Sequence, residues 1–544
     1  LSPIFLNTQK LDANKNDSLF DFADSLSVRV PTSCGRTGEC HECIVEVRKG
    51  MDALTTTTEE EKFLRGNYRL ACQACVADPE ADIEFTVLRR QPRILTTGVK
   101  RETEINPAYV RVGDDVVFVG GAEGPVVVDK YRDAIYGIAI DVGTTTVVMN
   151  LVNLESGDTE YTASFENPQR FGGSDIMNRI VYDGGEDAGE LRAVMVSSIN
   201  FEIGEMVRAL KIRRRQIFEI VAVGNTTMRE LFFGIDVQSI GQRPYRSPVE
   251  EEFRAKQRTT TALSTTAAAL GLRIHPKATV YGGPLISSHL GADTAADLLA
   301  IGIEDQIEPI ILVDVGTNTE VVIGNRDRLL AASCPAGPAF EGGEVTYGMP
   351  GYDGAVERVT INDTGEVDSQ VIGDADPIGI CGSGLIDLLA ELRRTNLMND
   401  LGKFNDGAKE YEFSVVNNLT ISRADVSALA QAKAANYCGQ AIVLREYGLP
   451  IEKFEKLYLA GGFANYVDES NAIDIGFIAN MPLEKVEKVG NAALEGAGIM
   501  LLSTVKREEI EKLTATIEHV ELETAPDFFE FFVEGCHFKS MDTT

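Results

Sequence analysis

Cys34, Cys40 and Cys43 in VPTSCGRTGECHEC stand at C-x5-C-x2-C spacing, and Cys72 in RLACQ follows 29 positions later. Four thiolates are the usual ligand set of a [2Fe-2S] cluster. A glycine-rich loop turns successive backbone N–H groups toward the sulfurs and stabilises the negative charge of the reduced cluster. Gly35 and Gly38 supply such a loop. A structural zinc site competes with this reading, because Cys40 with Cys43 and Cys72 with Cys75 both form C-x2-C pairs, but it leaves Cys34 and its glycines unexplained. His41 is the one histidine of the segment, whereas a Rieske centre needs two, so it reads as an exposed loop residue. Cys334, Cys381, Cys438 and Cys536 are scattered, and the whole pattern is unlike a disulfide framework.

A second chemistry is written twice, as IAIDVGTTTVVMNLV from Ile138 and ILVDVGTNTEVVI from Ile311, with Asp141 and Asp314 173 residues apart. Each D-V-G-T lies between β-branched runs and reads as a hairpin whose glycine permits a tight turn and whose N–H and hydroxyl groups face a phosphate. Two such hairpins in opposition, Gly143 to Thr146 and Gly316 to Asn318, would grip a polyphosphate from both sides. Asp141 and Asp314 would then present carboxylates to a Mg²⁺ ion or its water shell, as the catalytic pair. Taken singly, either segment is also an ordinary hairpin turn. KLYLAGGFAN adds an apolar strand running into Gly461 and Gly462, where a flat ring can approach the backbone.

The elements that carry these residues divide the chain. Its 544 residues exceed one domain, and 44% hydrophobic with 25% charged residues is an ordinary soluble composition. A net charge of −32 disfavours nucleic acid and anionic membranes as partners. No apolar run approaches a membrane span and no secretory signal is visible, so a cytoplasmic location is expected. Residues 1–90 read as a small β-rich unit ending in the alternating ADIEFTVL, and 91–134 as a linker with a little extended structure and no core of its own. Strands and helices then alternate, giving one lobe over 135–310, a second over 311–525 and a tail over 526–544. GICGSGLID from Gly379 is either an anion-facing helix start or a close-packed one, and NPQRFGGSD and AVGNTTMRELFFG read as architecture or a partner surface. Walker A, HExxH and nucleophile-elbow motifs are absent.

The cysteine segment resembles the plant and vertebrate ferredoxins, with the five-residue first gap and R-L-x-C-Q surround of the vertebrate-like branch. That resemblance implies a β-grasp fold with Cys34, Cys40, Cys43 and Cys72 as ligands, leaving Cys75 a free thiol. The order of the two hairpins and the Gly-Gly turn resembles the actin, hexokinase and heat-shock-chaperone ATPases. It implies duplicated ribonuclease H-like lobes, ATP with Mg²⁺ between them, and two connecting helices at 285–301 and 489–503 whose small residues let them cross closely. Glu341 and Glu344 would lie near the ribose, with solvated loop carboxylates as the alternative.

The pairing of both parts resembles the ATP-dependent reductive activators of corrinoid proteins, which return a partner's Co(II) to Co(I). By that resemblance Asp141 to Thr146 and Asp314 to Asn318 hold phosphate and magnesium, and Gly461 and Gly462 border the adenine. Its implied partners are a corrinoid protein of a methyltransferase system and a low-potential electron donor; a homodimer is compatible with the sequence. The energetic reason for ATP would be an acceptor of lower potential than the cluster, since plant-type centres lie near about −400 mV and each 100 mV uphill costs about 2.3 kcal/mol per electron. Some activators carry a further small domain before the ATPase, where this chain has only the 91–134 segment. Two other readings remain: a redox-regulated small-molecule kinase, for which no catalytic base is evident, and a non-enzymatic nucleotide-controlled carrier or sensor.

Overall fold

A computed structural model of the chain describes residues 3–6, 9–12, 14–88, 101–121, 124–362, 364–373, 375–405, 412–462 and 464–541. In the N-terminal unit the alternation of ADIEFTVL becomes the strand Ile83–Val87, which buries Ile83, Phe85 and Val87. It pairs in parallel with Pro3–Leu6 and antiparallel with Ile44–Lys49, at the centre of a five-stranded sheet completed by Gln9–Asp12 and Tyr68–Leu70. The helix Leu19–Ser25, opened by a Ser18–Asp21 capping box, buries Leu19, Phe20 and Phe22 beneath the sheet. This is the β-grasp arrangement of a ferredoxin.

Within the expected linker, 91–100 lies outside the described residues. Beyond it, Tyr109–Val112, Asp115–Phe118 and Val126–Lys130 form a three-stranded antiparallel sheet. Tyr109 and Val116 from this sheet are buried in the core that follows, beside Phe218. Arg101 bonds the Leu299 carbonyl and pairs with Glu304 at 2.8 Å, so the described part of the connector is fastened to the body.

Both lobes repeat one topology. In the first, the sheet order runs Thr159–Glu166, Thr146–Asn153, Tyr136–Val142, Ile217–Val223 and Thr279–Gly282, with Leu263–Thr266 at the edge. In the second it runs Arg328–Cys334, Thr319–Asn325, Ile310–Val315, Leu457–Ala460 and Val486–Gly490, with Glu518–His519 at the edge. The aspartate strand is antiparallel to the strand after its hairpin and parallel to its other neighbour in both lobes. The repeat at the sequence level is therefore a repeated ribonuclease H-like sheet.

Between the sheets run the helices Ala292–Ala300 and Ala492–Leu502. They approach until the backbones touch: a Cβ on Gly496 would collide with the Ala296 carbonyl. The final segment also packs, as the helix Phe528–Gly535 sets buried Gly535 against Ala434 of the long helix Arg423–Tyr447. Among the described residues no helix is long and apolar enough to cross a membrane. Gly496→Ala should force these helices apart and cost about 1–3 kcal/mol of stability, read as a lowered urea midpoint with the slope unchanged.

Candidate nucleotide cleft and cluster site

The two aspartate hairpins face each other. Thr145 Oγ1 of the first lobe lies 3.4 Å from Thr317 Oγ1 of the second, and both hydroxyls donate to Glu341 Oε2, Thr145 at 3.2 Å. Asp141 accepts a 2.9 Å bond from Asn491 Nδ2 across the same gap. Asp141, Asp314, Gly143 to Thr146, Gly316 to Asn318, Glu341, Gly461 and Gly462 all line this one cleft. Glu344 does not; it is exposed, with a φ of 63°. At the Gly-Gly turn, Gly461 has a φ of 114° and a Cβ there would strike the Val315 carbonyl, while Gly462 looks onto open space. That opening suits a flat ring.

The cleft is strongly acidic. Asp141 and Asp314 retain surface toward the cleft but little toward bulk water; this desolvation, with the charge of Asp293 added, pushes both up to about 7. Burial likewise raises Asp293 to about 6, and raises Asp297, Glu320 and Glu341. Asp297 is fully buried against Asp314 with no donor directed at either oxygen among the described residues, so the pair favours sharing a proton. Such oxygen-rich, negatively charged walls fit a hydrated magnesium ion, which Asp141 and Asp314 would hold.

Several of these groups escape sequence reading. Asn225 follows the strand Ile217–Val223, caps the helix Thr226–Phe233, and gives its Nδ2 to Thr144 Oγ1 at 2.8 Å. Asn491 does the same after Val486–Gly490, capping Ala492–Leu502 while reaching Asp141. The usable signal was positional: ligands gather beyond the carboxyl ends of parallel strands, where a helix cap supplies a polar side chain. In GICGSG, Gly384 packs against the Val356 carbonyl, as the close-packed reading expects, while Cys381, Gly382 and Ser383 line the cleft.

In the ferredoxin domain Cys34, Cys40, Cys43 and Cys72 come together as two pairs. Cys43 Sγ is 3.4 Å from Cys72 Sγ, and Cys34 accepts hydrogen bonds from Cys40 and Thr37. Burial opposes ionisation of Cys34, but those bonds prevail and bring it down to about 6. The bond from Cys43, helped by one from Gln73, brings Cys72 down to about 7. Two pairs of thiols, two of them already favouring thiolate, fit two irons with two cysteines each. Cys75 sits apart, bridged to Ser18, and burial pushes its thiol up. The ligand loop is tied down by Arg36, which pairs with Asp21 at 3.0 Å and with Asp24 and lies over the Phe20 ring. The stem before Cys72 is locked by a buried Arg69–Glu61 pair at 2.8 Å.

His41 departs from its expected exposure. Its ring stacks on Phe63 with centroids 4.1 Å apart, and Nδ1 lies 2.9 Å from Glu190 of the first lobe. Phe63 packs edge-on against Phe171, and its carbonyl accepts the Tyr182 hydroxyl at 2.7 Å. Arg29 adds a pair with Glu205 at 2.5 Å. The receiving segment is NPQRFGGSD and the helix after it, Ile176–Asp183. Its other side holds the phosphate hairpin: Asn167 Nδ2 bonds the Gly143 carbonyl at 2.8 Å, Arg179 the Thr144 carbonyl at 2.7 Å, and Asn167 N the Thr145 carbonyl at 2.8 Å.

Three family models match successive stretches of the chain. Residues 4–77 match the 2Fe-2S iron-sulfur cluster binding domain, 136–306 the RACo middle region, and 308–544 the C-terminal domain of RACo, the ASKHA domain. A solved structure titled reductive activator for corrinoid,iron-sulfur protein superposes over 100% of this chain and 99% of its own, at 28% identity and a TM-score of 0.72. The chain belongs to the family of reductive activators of corrinoid proteins. Within it, the corrinoid activation enzyme RamQ of Eubacterium limosum is 27% identical over 591 aligned residues, 97% of this chain and 98% of that one. The [Co(II) methylated amine-specific corrinoid protein] reductase of Methanosarcina barkeri is 23% identical over 73% of this chain and 76% of its own.

After anaerobic reconstitution, Cys72→Ser should lose the visible absorbance and most of the bound iron, whereas Cys75→Ser should keep both. Iron analysis and absorption spectra check this; the opposite pattern would hand the fourth position to Cys75.

Proposed function

We propose that this chain reactivates a corrinoid protein, delivering one electron to Co(II) and regenerating Co(I) at the expense of ATP hydrolysis. The observation that carries the reading is the joining, in one chain, of a four-thiol ferredoxin site to a cleft in which two aspartate hairpins oppose each other. The full-length likeness to corrinoid activators supports the choice of acceptor. Held by Cys34, Cys40, Cys43 and Cys72, a [2Fe-2S] cluster supplies one-electron transfer from a low-potential donor.

The residues of the chain account for the coupling. ATP enters with its phosphates between Gly143 to Thr146 and Gly316 to Asn318, its adenine against Gly461 and Gly462, and Mg²⁺ near Asp141 and Asp314. Asp141 and Asp314 would hold Mg²⁺, whose charge would offset the mutual repulsion of the cleft carboxylates and favour closure of the lobes. Any shift of the first hairpin pulls on Asn167 and Arg179, which share one short segment with Phe171 and Tyr182 of the ferredoxin dock. With the domain docked, His41, between two ligand cysteines, is held against Glu190 of the first lobe. Nucleotide binding loosens the dock and presents the cluster domain to the partner, and hydrolysis resets it.

Mixed anaerobically with reductant and a Co(II) corrinoid protein, the full chain should give the Co(I) spectrum only with Mg²⁺ and ATP. Equal Co(I) without ATP, or none with any corrinoid partner, contradicts the reading. Tyr182→Phe removes one bond to the Phe63 carbonyl and leaves that acceptor unpaired, weakening the dock by about 1–2 kcal/mol. It should raise ATP-independent Co(I) formation about tenfold while leaving the rate of ATP hydrolysis unchanged.

A further inference from the structure

One carboxylate of the cleft is bonded to both hairpins at once. Glu341 ends the short turn Ala339–Glu341, where its N–H bonds the Pro338 carbonyl at 2.9 Å and Phe340 packs against Phe477 at 5.0 Å. The next residues are packed too, since a Cβ on Gly342 would collide with the Met349 backbone. The side chain is thus carried on a rigid support. Its Oε2 accepts the hydroxyl of Thr145 from one hairpin and of Thr317 from the other, and these are the only side-chain bonds from both hairpins to one carboxylate among the described residues.

A carboxylate bonded to both hairpins lies between them, on the line along which the phosphate chain of a bound nucleotide would run. Asp141 is engaged by Asn491 and Asp314 lies against Asp297. Glu341, from the second lobe, has Oε1 not committed to either hairpin hydroxyl.

We propose that Glu341 is the general base of ATP hydrolysis, a role deeper than the ribose contact and one that rests on the ATPase reading above. A water held by Glu341 gives its proton to the carboxylate as its oxygen forms a bond to the γ-phosphorus. The bond from that phosphorus to the bridging oxygen breaks, and ADP leaves with the electron pair. The proton then passes from Glu341 to the released phosphate or to solvent, so atoms and charge balance without any further reactant. Thr145 and Thr317 turn their hydroxyls from Glu341 to the phosphoryl oxygens when nucleotide is present, which frees the carboxylate for the water.

The test is γ-phosphate release by the full-length protein with Mg²⁺ and ATP, measured in single and multiple turnover, beside ATP affinity by equilibrium binding. Glu341→Gln keeps the shape and an acceptor for both threonines; kcat should fall by about 10²–10⁴, with ATP affinity unchanged or tighter. Glu341→Asp, which keeps a carboxylate about one methylene further back, should retain intermediate activity and decides the matter if the glutamine variant does not fold. Glu344→Gln, at an exposed position, should match the wild type. Wild-type turnover in Glu341→Gln overturns the proposal, as does lost ATP affinity, which makes Glu341 a binding group, and so does faster turnover with tighter binding, which makes it a plug of the empty cleft. If the wild type releases no phosphate with any partner present, the ATPase reading falls and this role with it. Wild-type release that is abolished by Glu341→Gln, without Co(I) formation by either, upholds the base and discards corrinoid activation.

Discussion

Negative charge packed into a poorly hydrated space governs this molecule. Asp141, Asp293, Asp297, Asp314, Glu320 and Glu341 all border one cleft, and desolvation disfavours ionisation of each. A closed cleft full of carboxylates is stable only if protons or a bound cation balance them. The two sheets and the helix pair that crosses at Gly496 hold the walls rigidly enough that this electrostatic cost is not dissipated by local rearrangement. On the function proposed, a cation and nucleotide bound there would act on the lobes as a whole.

What ties the cleft to the rest of the molecule is where the first hairpin is anchored. Its three successive carbonyls, Gly143, Thr144 and Thr145, are held by Asn167 and Arg179, and the same stretch of chain presents Phe171 and Tyr182 to the ferredoxin domain. Tyr352 of the second lobe reaches the same stretch, donating to Glu166 at 2.5 Å. A single segment thus touches phosphate hairpin, opposite lobe and cluster domain. Coupling of this kind needs no long pathway, only one packed element with two settings.

Much of this was legible in the sequence where chemistry is written contiguously. The C-x5-C-x2-C run, each copy of D-V-G-T and the Gly-Gly turn lie within a dozen residues apiece, and the fold expected for each part followed from the family resemblance those runs carry. The rest depends on contacts between distant residues. His41 looked exposed because its partner Glu190 is 149 positions away. NPQRFGGSD carries no motif chemistry; its importance comes from what packs on its two sides. Asn225 and Asn491 resemble any helix cap until the strand order places both at the cleft. Glu341 and Glu344 were indistinguishable as neighbouring loop carboxylates, and only the left-handed turn at Glu344 separates their directions.

The central claim is that cleft occupancy and ferredoxin docking are one equilibrium. Amide hydrogen exchange of the full-length, cluster-loaded protein, with and without Mg²⁺ and a slowly hydrolysed ATP analogue, addresses it directly. The account predicts slower exchange at 141–146 and 314–318 together with faster exchange at 61–65 and 168–183. Protection of the hairpins with no change on either side of the dock would contradict it.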